Sequence, residues 1–272
     1  SVPEKILLSE MNLPVLLHLS TGDTIVMDPQ QLAGSEKEHQ VIFREETGLF
    51  EIIPLGDPTT VQDINTLSVP RGGEFSLILH DGTRVWLNAG TTFTFPLSFT
   101  EETRYVHLQG EAYFEVAENK SIPFVVETNH GNIKVYGTAF NVMAYPDEEM
   151  VTTLVEGSVG FTGGGVTREI RLLPCEQLTV TSEDWSKKIV DTPVYTSWKD
   201  GKLVFRSVRL EDMLVRLGRW YDFDVKYMKE GLKENRYTGE IKKYDDFDDV
   251  LEIIGLTGTA HFIREGRKII VY

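Results

Sequence analysis

The clearest pattern in the chain is an alternation of apolar and polar residues over Val106–Val142, interrupted at intervals by glycine. Gly110, Gly131 and Gly137 separate short runs in which about every second residue is hydrophobic. Such alternation is typical of strands that bury one face, and a glycine between two runs indicates a turn or a bulge. The segment is therefore predicted to form consecutive half-buried β-strands, and it contains no catalytic signature.

A strand, turn and strand pattern recurs along the first two thirds of the chain. The pattern around Gly22 returns 60 residues later around Gly82. The matching apolar positions are Leu17, Leu19, Ile25 and Met27 in the first copy and Leu77, Leu79, Val85 and Leu87 in the second. Similar units surround Gly110, Gly137 and Gly157, but glycine spacings of 28, 27 and 20 residues are too irregular for a solenoid with fixed rungs. We predict a mainly β domain of stacked strand-turn-strand units, either a sandwich or a loosely coiled stack.

Two further stretches have the composition of hairpins. Residues 28–66 are polar apart from strand-like pieces at Gln40–Phe43 and Phe50–Ile53. Three consecutive glycines, Gly163 to Gly165, separate the strand candidates Ser158–Thr162 and Val166–Leu172 and indicate a hairpin tip. A phosphate-binding loop is disfavoured there, because a helix start and a lysine would have to follow the glycines.

The pattern changes after residue 181, which indicates a domain boundary. Residues 182–192 are mostly polar and Pro193 follows them, so the predicted domains are 1–192 and 193–272. In the second domain a strand at Lys202–Arg206 leads to Ser207, a candidate helix N-cap. The helical stripe that follows comprises Leu210, Met213, Leu214, Leu217 and Trp220, and alternation returns at Phe223–Tyr227.

The second domain repeats itself at an offset of 37 residues. A second apolar stripe, formed by Phe247, Val250, Leu251 and Ile254, matches the first one. Ala260 and Phe262 then match Phe223 and Val225. The predicted element order is β-α-β followed by β-α-β, in a small α+β domain.

Charge is distributed unevenly along this chain of 272 residues with net charge −15. Residues 1–194 hold 12 Lys and Arg against 28 Asp and Glu, a net of −16, whereas residues 195–272 hold 15 against 14, a net of +1. So acidic a chain is disfavoured as a nucleic-acid binder, because phosphate contacts need a basic face. A near-neutral second domain would meet less repulsion from an acidic partner, although ordinary differences between domains explain the contrast equally well.

The sequence argues against internal disulfides, thiolate metal clusters and a membrane-spanning segment. A single cysteine, Cys175, excludes an intramolecular disulfide and a thiolate metal cluster. No stretch reaches the ~18 apolar residues of a membrane span, and the first residues lack the order of a signal peptide. A membrane anchor or export signal is therefore expected outside this sequence, if one exists.

Candidate catalytic and metal-binding groups are few. The six histidines form no HExxH motif and no i,i+4 pair, so turn or surface roles are expected for them. Glu111 and Glu115 are poor candidates for a glycosidase pair, because strand geometry places them about 13 Å apart. The four aspartates of Asp245–Asp249 lack the central glycine and closing glutamate of a calcium loop. We expect them to cap the second helix and complement its dipole.

A carbohydrate-binding β module is the alternative function class. The aromatic residues that could line a sugar platform are Trp86, Phe93, Phe95, Tyr105, Tyr113 and Phe114. Trp86 and Phe114 fall on alternating apolar positions, which favours a core role, and Trp220 and Tyr221 are likewise expected to pack. A hydrolase would need a cluster of groups that only the fold could bring together.

Several short motifs occur in a fixed order along the chain. They are Pro70–Gly73, Leu79–Pro96, Gly110–Ala117, Pro123–Val126, Val135–Val142, Leu154–Gly157 and Leu173–Gln177. Together they resemble the FecR family of membrane-anchored anti-sigma regulators, or transmembrane sensors, of Gram-negative bacteria, in particular the Bacteroidetes type. The family usually has proline at the position of His80 and glycine at that of Cys175, and the second change puts the tightness of the turn after Pro174 in question.

The second domain carries a resemblance of its own. Its motifs are Trp198–Gly201, Leu217–Tyr221 and Tyr237–Gly239. They are similar to the small domain that follows FecR domains in Bacteroidetes, which itself resembles the secretin and TonB short N-terminal domain. The β-α-β duplication agrees with this resemblance.

The resemblance implies a regulator rather than an enzyme, with no cofactor. It implies the periplasmic region of a single-pass inner-membrane protein whose membrane helix and cytoplasmic segment precede Ser1. The implied partners are the signalling domain of an outer-membrane TonB-dependent transporter and, through the cytoplasmic segment, an extracytoplasmic-function sigma factor.

The contact surface is expected in the near-neutral second domain, where a partner strand could add to an exposed sheet edge. Candidate edges are Lys202–Arg206 and Arg236–Ile241, whose basic residues also oppose unspecific pairing. The candidate partner-binding residues are Lys202, Val204, Arg206, Arg236, Tyr237 and Glu240. No catalytic, cofactor-binding or metal-binding residue is predicted.

Overall fold

A computed structural model describes residues 14–28, 41–44, 47–53, 64–99, 102–165, 168–243, 245–256 and 260–272. The chain divides into two compact units, Ser1–Thr192 and Pro193–Tyr272, called unit 1 and unit 2 below. The described part of unit 1 consists of strands, whereas unit 2 combines strands and helices, so the predicted fold class is confirmed. Among the described residues, no helix is long and apolar enough to cross a membrane.

The described residues of unit 1 form seventeen strands. In chain order they are β1 (Leu16–His18), β2 (Thr24–Val26), β3 (Val41–Arg44), β4 (Leu49–Ile52), β5 (Ile64–Val69), β6 (Phe75–Ile78), β7 (Arg84–Leu87), β8 (Thr91–Pro96), β9 (Arg104–Glu115), β10 (Phe124–Thr128), β11 (Gly131–Val135), β12 (Ala139–Ala144), β13 (Met150–Glu156), β14 (Val159–Gly163), β15 (Ile170–Leu172), β16 (Glu176–Val180) and β17 (Trp185–Ile189).

These strands form two sheets that share β9. The first sheet has the order β2-β1-β5-β8-β9-β10-β11-β14-β15. The second has the order β3-β4-β6-β7-β9-β12-β13-β16-β17. Neighbours are antiparallel except for β9 with β10 and β4 with β6. Within β9, residues up to Gln109 pair in the first sheet and residues from Gly110 pair in the second.

Side chains from both sheets meet in one apolar core. The Phe114 ring lies 6.1 Å from Phe93 and 6.0 Å from Phe124, which belong to the first sheet. It also stacks at 5.1 Å on Phe140 of the second sheet. Because one ring touches residues of both sheets, the sheets pack face to face, as in the sandwich form of the prediction.

Gly110 lies where β9 passes from one sheet to the other. Its φ is +122°, and a Cβ at this position would lie 2.5–2.9 Å from atoms of Thr91. Both the backbone angle and the close approach exclude a larger side chain. The glycine that marks a turn or bulge in the sequence is therefore the point of crossing between sheets.

The 60-residue repeat corresponds to two hairpins with the same turn. β1 pairs with β2, and β6 pairs with β7. The N–H groups of Leu19 and Leu79 each donate to the carbonyl four residues later at 2.8 Å, and Gly22 and Gly82 have φ of +94° and +84°. The repeat is thus confirmed as local structure, but its two copies belong to different sheets.

The other predicted hairpins also form. β3 pairs with β4, while Gln40 lies outside the described residues. β14 pairs with β15, which begins at Ile170; Val166 and Thr167 lie outside the described residues.

Unit 2 contains the two predicted β-α-β repeats and one further strand. Its elements are α1 (Pro193–Thr196), a 3-10 turn (Ser197–Asp200), β18 (Lys202–Arg209), α2 (Leu210–Tyr221), β19 (Asp224–Tyr227), a 3-10 turn (Glu230–Glu234), β20 (Arg236–Lys242), α3 (Phe247–Leu256), β21 (Phe262–Glu265) and β22 (Lys268–Val271). β18 pairs with β20, and β22 lies between β19 and β21. The extra strand β22 follows the second repeat, so the 37-residue repeat in the sequence did not predict it.

Ser207 is not the N-cap of α2, contrary to prediction. β18 continues to Arg209, and α2 begins directly afterwards at Leu210 without a side-chain cap. Ser207 lies in a bulge of β18 with φ of +52°, and its N–H donates to Thr238 Oγ1 at 2.9 Å. A serine before a helical stripe indicates a cap only if the strand has already ended, and here the strand pairing persists past it.

Candidate functional site

The two predicted docking edges pair with each other. β18 and β20 form an antiparallel two-stranded sheet, here called the ribbon, with Lys202 opposite Lys242 and Val204 opposite Glu240. Each strand therefore uses one of its edges inside the ribbon. Neither pairs with a third strand in the part of the chain that the structure describes, so each has a second, outer edge.

Five of the six candidate partner-binding residues have solvent-accessible side chains. Lys202 and Glu240 form an ion pair at 3.1 Å between side chains that are about half exposed, on the same face as the half-buried Val204. Arg206 and Arg236 are exposed. An ion pair of this kind contributes only about 0–1 kcal/mol to stability, so these groups can exchange partners at little cost.

Tyr237 is different from the other five residues. Its side chain is only 7% exposed, and the opposite face of the ribbon also buries Leu203 and Phe205. The guanidinium of Arg216 from α2 lies over the Phe205 ring at 5.2 Å. Tyr237 therefore supports the ribbon from the interior, and its side chain is not available as a contact.

A network of charged side chains fixes one end of the ribbon. Arg209 contacts Glu211 and Glu234, each at 2.7 Å, and Lys233 contacts Glu230 at 2.8 Å and Glu211 at 3.3 Å. The hydrogen bond with Glu234 raises the pKa of Arg209, and those with Glu230 and Glu211 raise the pKa of Lys233. Both cations therefore keep their charge at any physiological pH and hold the 3-10 turn against the start of α2.

Two tyrosines beside these elements are kept neutral. Burial, followed by the nearby carboxylates of Glu211 and Asp212, raises the pKa of Tyr227. Burial, followed by Asp245 and Asp246, raises the pKa of Tyr221 to about 12. Neither hydroxyl ionises in the physiological range. The Tyr221 hydroxyl donates to the carbonyls of Lys242 at 3.3 Å and Asp245 at 3.2 Å, whereas the Tyr227 hydroxyl is buried and contacts no hydrogen-bond partner among the described residues.

The aspartates before α3 act as predicted. Asp246 Oδ1 accepts hydrogen bonds from the N–H groups of Asp248 at 2.8 Å and Asp249 at 3.3 Å, which makes Asp246 the N-cap. Asp248 also binds Arg264 at 3.0 Å. Over the described residues, no group of three or more His, Cys, Asp or Glu side chains is arranged to hold a metal ion.

In unit 1, residues from the sequence motifs converge on one buried carboxylate. Glu111 accepts hydrogen bonds from Asn88 Nδ2 at 2.7 Å and from Asn141 Nδ2 at 2.9 Å, while its N–H donates to Thr91 Oγ1 at 3.0 Å. These four residues, here called the Glu111 cluster, are each at most 8% exposed. Glu111 lies in β9 and Asn141 lies in β12. Thr91 is the first residue of β8, and Asn88 directly follows β7. The cluster therefore joins strands of both sheets at the crossing of β9.

These four residues lie within the short motifs of the sequence, but no sequence pattern predicts that they meet. The available signal was an acidic residue at Glu111 inside an otherwise apolar run. A buried carboxylate requires hydrogen-bond donors, so such a residue predicts partners without saying which ones. Glu115, by contrast, is partly exposed and lies 3.7 Å from Arg84.

A second buried polar contact fixes the turn between β6 and β7. Arg104 is 3% exposed, and its Nη1 lies 2.8 Å from Asp81 Oδ2 and donates to the Ala117 carbonyl at 2.8 Å. Asp81 also accepts from the N–H of Thr83 at 3.0 Å. The turn beside His80 is therefore held by Asp81 without the proline that the family usually has.

The turn at Cys175 is closed although glycine is absent. Cys175 has φ of +68° and is exposed, its N–H donates to the Leu154 carbonyl at 2.9 Å, and the Glu176 N–H donates to Leu173 at 2.9 Å. The left-handed angle explains why glycine is favoured there. The cysteine adopts this left-handed angle and the turn is closed by hydrogen bonds, which answers the question raised by the missing glycine.

The aromatic residues do not form a sugar platform. Phe93, Phe95, Tyr113 and Phe114 are at most 4% exposed, as expected for core residues. Trp86 packs edge-on against Tyr113 at 5.7 Å, and Tyr105 alone of the six is exposed, at 42%. Isolated exposed rings of this kind are normal on protein surfaces and do not indicate glycan binding.

Comparison with known proteins agrees with this arrangement. The FecR protein model matches residues 65–160, which contain the whole Glu111 cluster, and the FecR C-terminal model matches residues 202–271, which contain the ribbon. The chain is a member of the FecR family. FecR proteins are signal-transducing regulators of sigma factors, and the two family models match residues of unit 1 and of unit 2, respectively.

Solved structures give the same assignment. Two crystal structures of a protein from Parabacteroides distasonis ATCC 8503, named as a candidate anti-sigma factor and solved at 1.65 and 2.50 Å resolution, are 30% identical to this FecR chain. Both give a TM-score of 0.70, and the matches cover 76% and 77% of this chain and 98% of each of theirs. No curated protein matches the chain significantly.

Proposed function

We propose that this chain is the periplasmic, signal-receiving part of a membrane-anchored anti-sigma regulator. In this proposal an outer-membrane TonB-dependent transporter presents its signalling domain to unit 2. The regulator then controls an extracytoplasmic-function sigma factor through a cytoplasmic segment beyond the sequence described here. The observation that carries the proposal is a FecR-type β unit followed by a small unit with an open-edged ribbon.

The ribbon has the properties of a docking edge for an added strand. Among the described residues no third strand pairs with either outer edge, and addition of a partner strand to such an edge is a common mode of peptide and domain recognition. Lys202, Arg206 and Arg236 supply positive charge beside these edges. In unit 2, whose net charge is +1, such groups would attract an acidic partner strand and repel a basic one.

The two β-α-β repeats of unit 2 support the proposed likeness to the secretin and TonB short N-terminal domain. The extra strand β22 completes a three-stranded sheet with β19 and β21. That sheet leaves the ribbon as a separate element with its own edges. Partner binding at the ribbon would then be relayed as a change in the population of conformations of the regulator.

The test is a titration with the purified signalling domain of a TonB-dependent transporter from the same genome. Wild-type protein is expected to bind, and a chain that ends at Thr192 is expected not to bind. Reversing two ribbon charges, Lys202→Glu with Arg206→Glu, should weaken binding about tenfold or more. Lys120→Glu is the matched control, because Lys120 is an 86% exposed lysine of unit 1.

The proposal fails if binding survives removal of unit 2. It also fails if the control and the double ribbon variant weaken binding equally, since that would indicate a general charge effect.

A further inference from the structure

Among the five glycines inside described strands, Gly239 is the one that the fold itself does not require. Three of the others have φ between +122° and +144°, and a Cβ on Gly160 would lie 2.9 Å from the Glu169 carboxyl group. At Gly239, in the middle of β20, φ lies outside the left-handed region and a Cβ would have no atom within 4 Å. Most residue types could stand here, and glycine weakens a strand compared with nearly all of them.

The register of the ribbon shows what the missing side chain leaves open. Gly239 lies directly opposite Phe205, and opposite residues of an antiparallel pair are on the same face. Phe205 is 1% exposed, whereas Gly239 is exposed. The glycine therefore leaves a gap in this face between Phe205 and the outer edge of β20. A strand glycine of this kind often marks a place where another chain approaches closely.

The two outer edges of the ribbon are not equivalent. The helix α1 and the 3-10 turn Ser197–Asp200 pack against β18. The gap at Gly239 lies on the other strand, β20, with which no third strand pairs among the described residues. A strand added to β20 would lie next to the gap, whereas one added to β18 would be separated from it by β18 itself. The glycine therefore favours β20 as the docking edge.

Basic side chains mark both ends of this edge. Arg236 and Lys242 are the first and last residues of β20, both are exposed, and each is three positions from Gly239. Because side chains alternate along a strand, both lie on the opposite face from the glycine. Between them, Glu240 is paired with Lys202 at 3.1 Å, so this face carries a net positive charge. An added strand would be attracted there by carboxylates at two separate positions.

We propose that the partner strand adds to β20 and carries a bulky apolar side chain opposite Gly239, with an acidic residue three positions before it and another three positions after it. The bulky side chain leans over the glycine and extends the row that begins at Phe205. The acidic residues meet Arg236 and Lys242. The pattern reads the same in both chain directions, so it applies to parallel and antiparallel addition. The assignment rests on the proposed function, in which the partner is a transporter signalling domain.

The decisive experiment fills the gap in the intact chain and titrates it with the signalling domain used above. Gly239→Val should weaken binding about tenfold or more, because the valine occupies the space of the partner side chain. Valine favours strands, so amide exchange of the ribbon in the free variant should stay equal or slow by up to about fivefold. Weaker binding by a strand that is at least as stable separates lost docking from lost folding.

Gly231→Val is the matched control. Gly231 is exposed in the 3-10 turn Glu230–Glu234, its φ lies outside the left-handed region, and a Cβ there would also have no atom within 4 Å. Its substitution should change binding by less than about twofold. A charge variant tests the end of the edge: Lys242→Glu should weaken binding about three- to tenfold, whereas Lys242→Arg should not.

Hydrogen exchange in the wild-type complex identifies the edge directly. Binding should slow exchange of alternate amides in residues 236–242 about tenfold or more and leave residues 202–206 within about twofold. The assignment is overturned, with the proposed function intact, if protection appears in β18 instead, or if Gly239→Val binds like the wild type or no more weakly than Gly231→Val. If the wild-type chain does not bind the signalling domain, the assignment and the proposed function fail together.

Discussion

At the scale of single residues, the Glu111 cluster concentrates several contacts on one side chain. Glu111 binds two asparagines that are 23 and 30 residues away along the chain. Both donors are neutral amides, so the carboxylate is stabilised by hydrogen bonds and not by a paired cation. Burying a carboxylate in this way is favourable only if both donors stay in place, which makes the cluster sensitive to small changes.

Replacing Glu111 by glutamine should therefore destabilise unit 1 by about 1–3 kcal/mol. Glutamine keeps one acceptor oxygen but turns an NH₂ group toward an asparagine NH₂ group, so one hydrogen bond is replaced by a repulsive contact. Glu115→Gln on the same strand is the control and should change stability by less than about 0.5 kcal/mol. Amide exchange of β7, β9 and β12 in increasing urea measures both, and equal effects of the two substitutions would contradict the structural role given to Glu111.

Residue-level prediction succeeded where a residue's conformation is determined locally. The turn glycines and the Asp246 cap depend on neighbours within a few positions, and both follow from sequence patterns. The partners of Glu111 lie on other strands, and no local pattern specifies them. The burial of the Tyr237 side chain was not predicted for a related reason, because which face of a strand is buried depends on the elements that pack against it.

At the scale of elements, strands were predicted better than their pairing. Alternation identifies β6, β7 and β9, because burial of one face leaves a period of two in the sequence. Pairing in the ribbon between β18 and β20 is decided across the 26 residues that separate the two strands, and the sequence offers no turn that brings them together. The bulge at Ser207 similarly depends on Thr238 of the partner strand.

Two substitutions of Asp246 can separate the contribution of the N-cap hydrogen bonds of α3 to stability from that of the charge near the helix dipole. Asp246→Ala should destabilise unit 2 by about 1 kcal/mol, since the N–H groups of Asp248 and Asp249 lose their acceptor. Asp246→Asn keeps an acceptor oxygen and should lose less, a few tenths of a kcal/mol that reflect the charge at the helix N-terminus.

Hydrogen exchange of residues 247–256 resolves these differences, with Glu252→Ala on the exposed face of α3 as the control. A loss for the asparagine variant as large as for the alanine variant would mean that charge, not capping, stabilises this end of the helix.

At the scale of the whole molecule, the stability of the two units should respond differently to salt. Residues 1–194 carry a net charge of −16 and residues 195–272 a net charge of +1. Like charges at the surface repel one another in the folded state, and dissolved salt screens this repulsion. The acidic unit should therefore depend on ionic strength, whereas the near-neutral unit should not.

We expect unit 1 to gain on the order of 1 kcal/mol when ionic strength rises from 0.01 to 0.15 M, as the Debye length falls from about 30 to about 8 Å. Unit 2 should change by a few tenths of a kcal/mol or less. Exchange of core amides in β9 and in α2, measured in the same intact protein, compares the two units directly. An equal response in both would show that local ion pairs, and not net charge, control their stability.

The shared strand β9 has a further consequence for how the chain acquires its structure. β9 pairs with β7 and β8, which precede it in the chain, and with β10 and β12, which follow it. Each sheet is therefore complete only when strands that follow β9 in the chain are present. Neither sheet can therefore form early and wait for the other. We expect unit 1 to fold in one step, over milliseconds to seconds, only after the chain up to and including β16 is available. Until then its unpaired strands are open to aggregation, so a chain truncated after β9 should be insoluble rather than half folded.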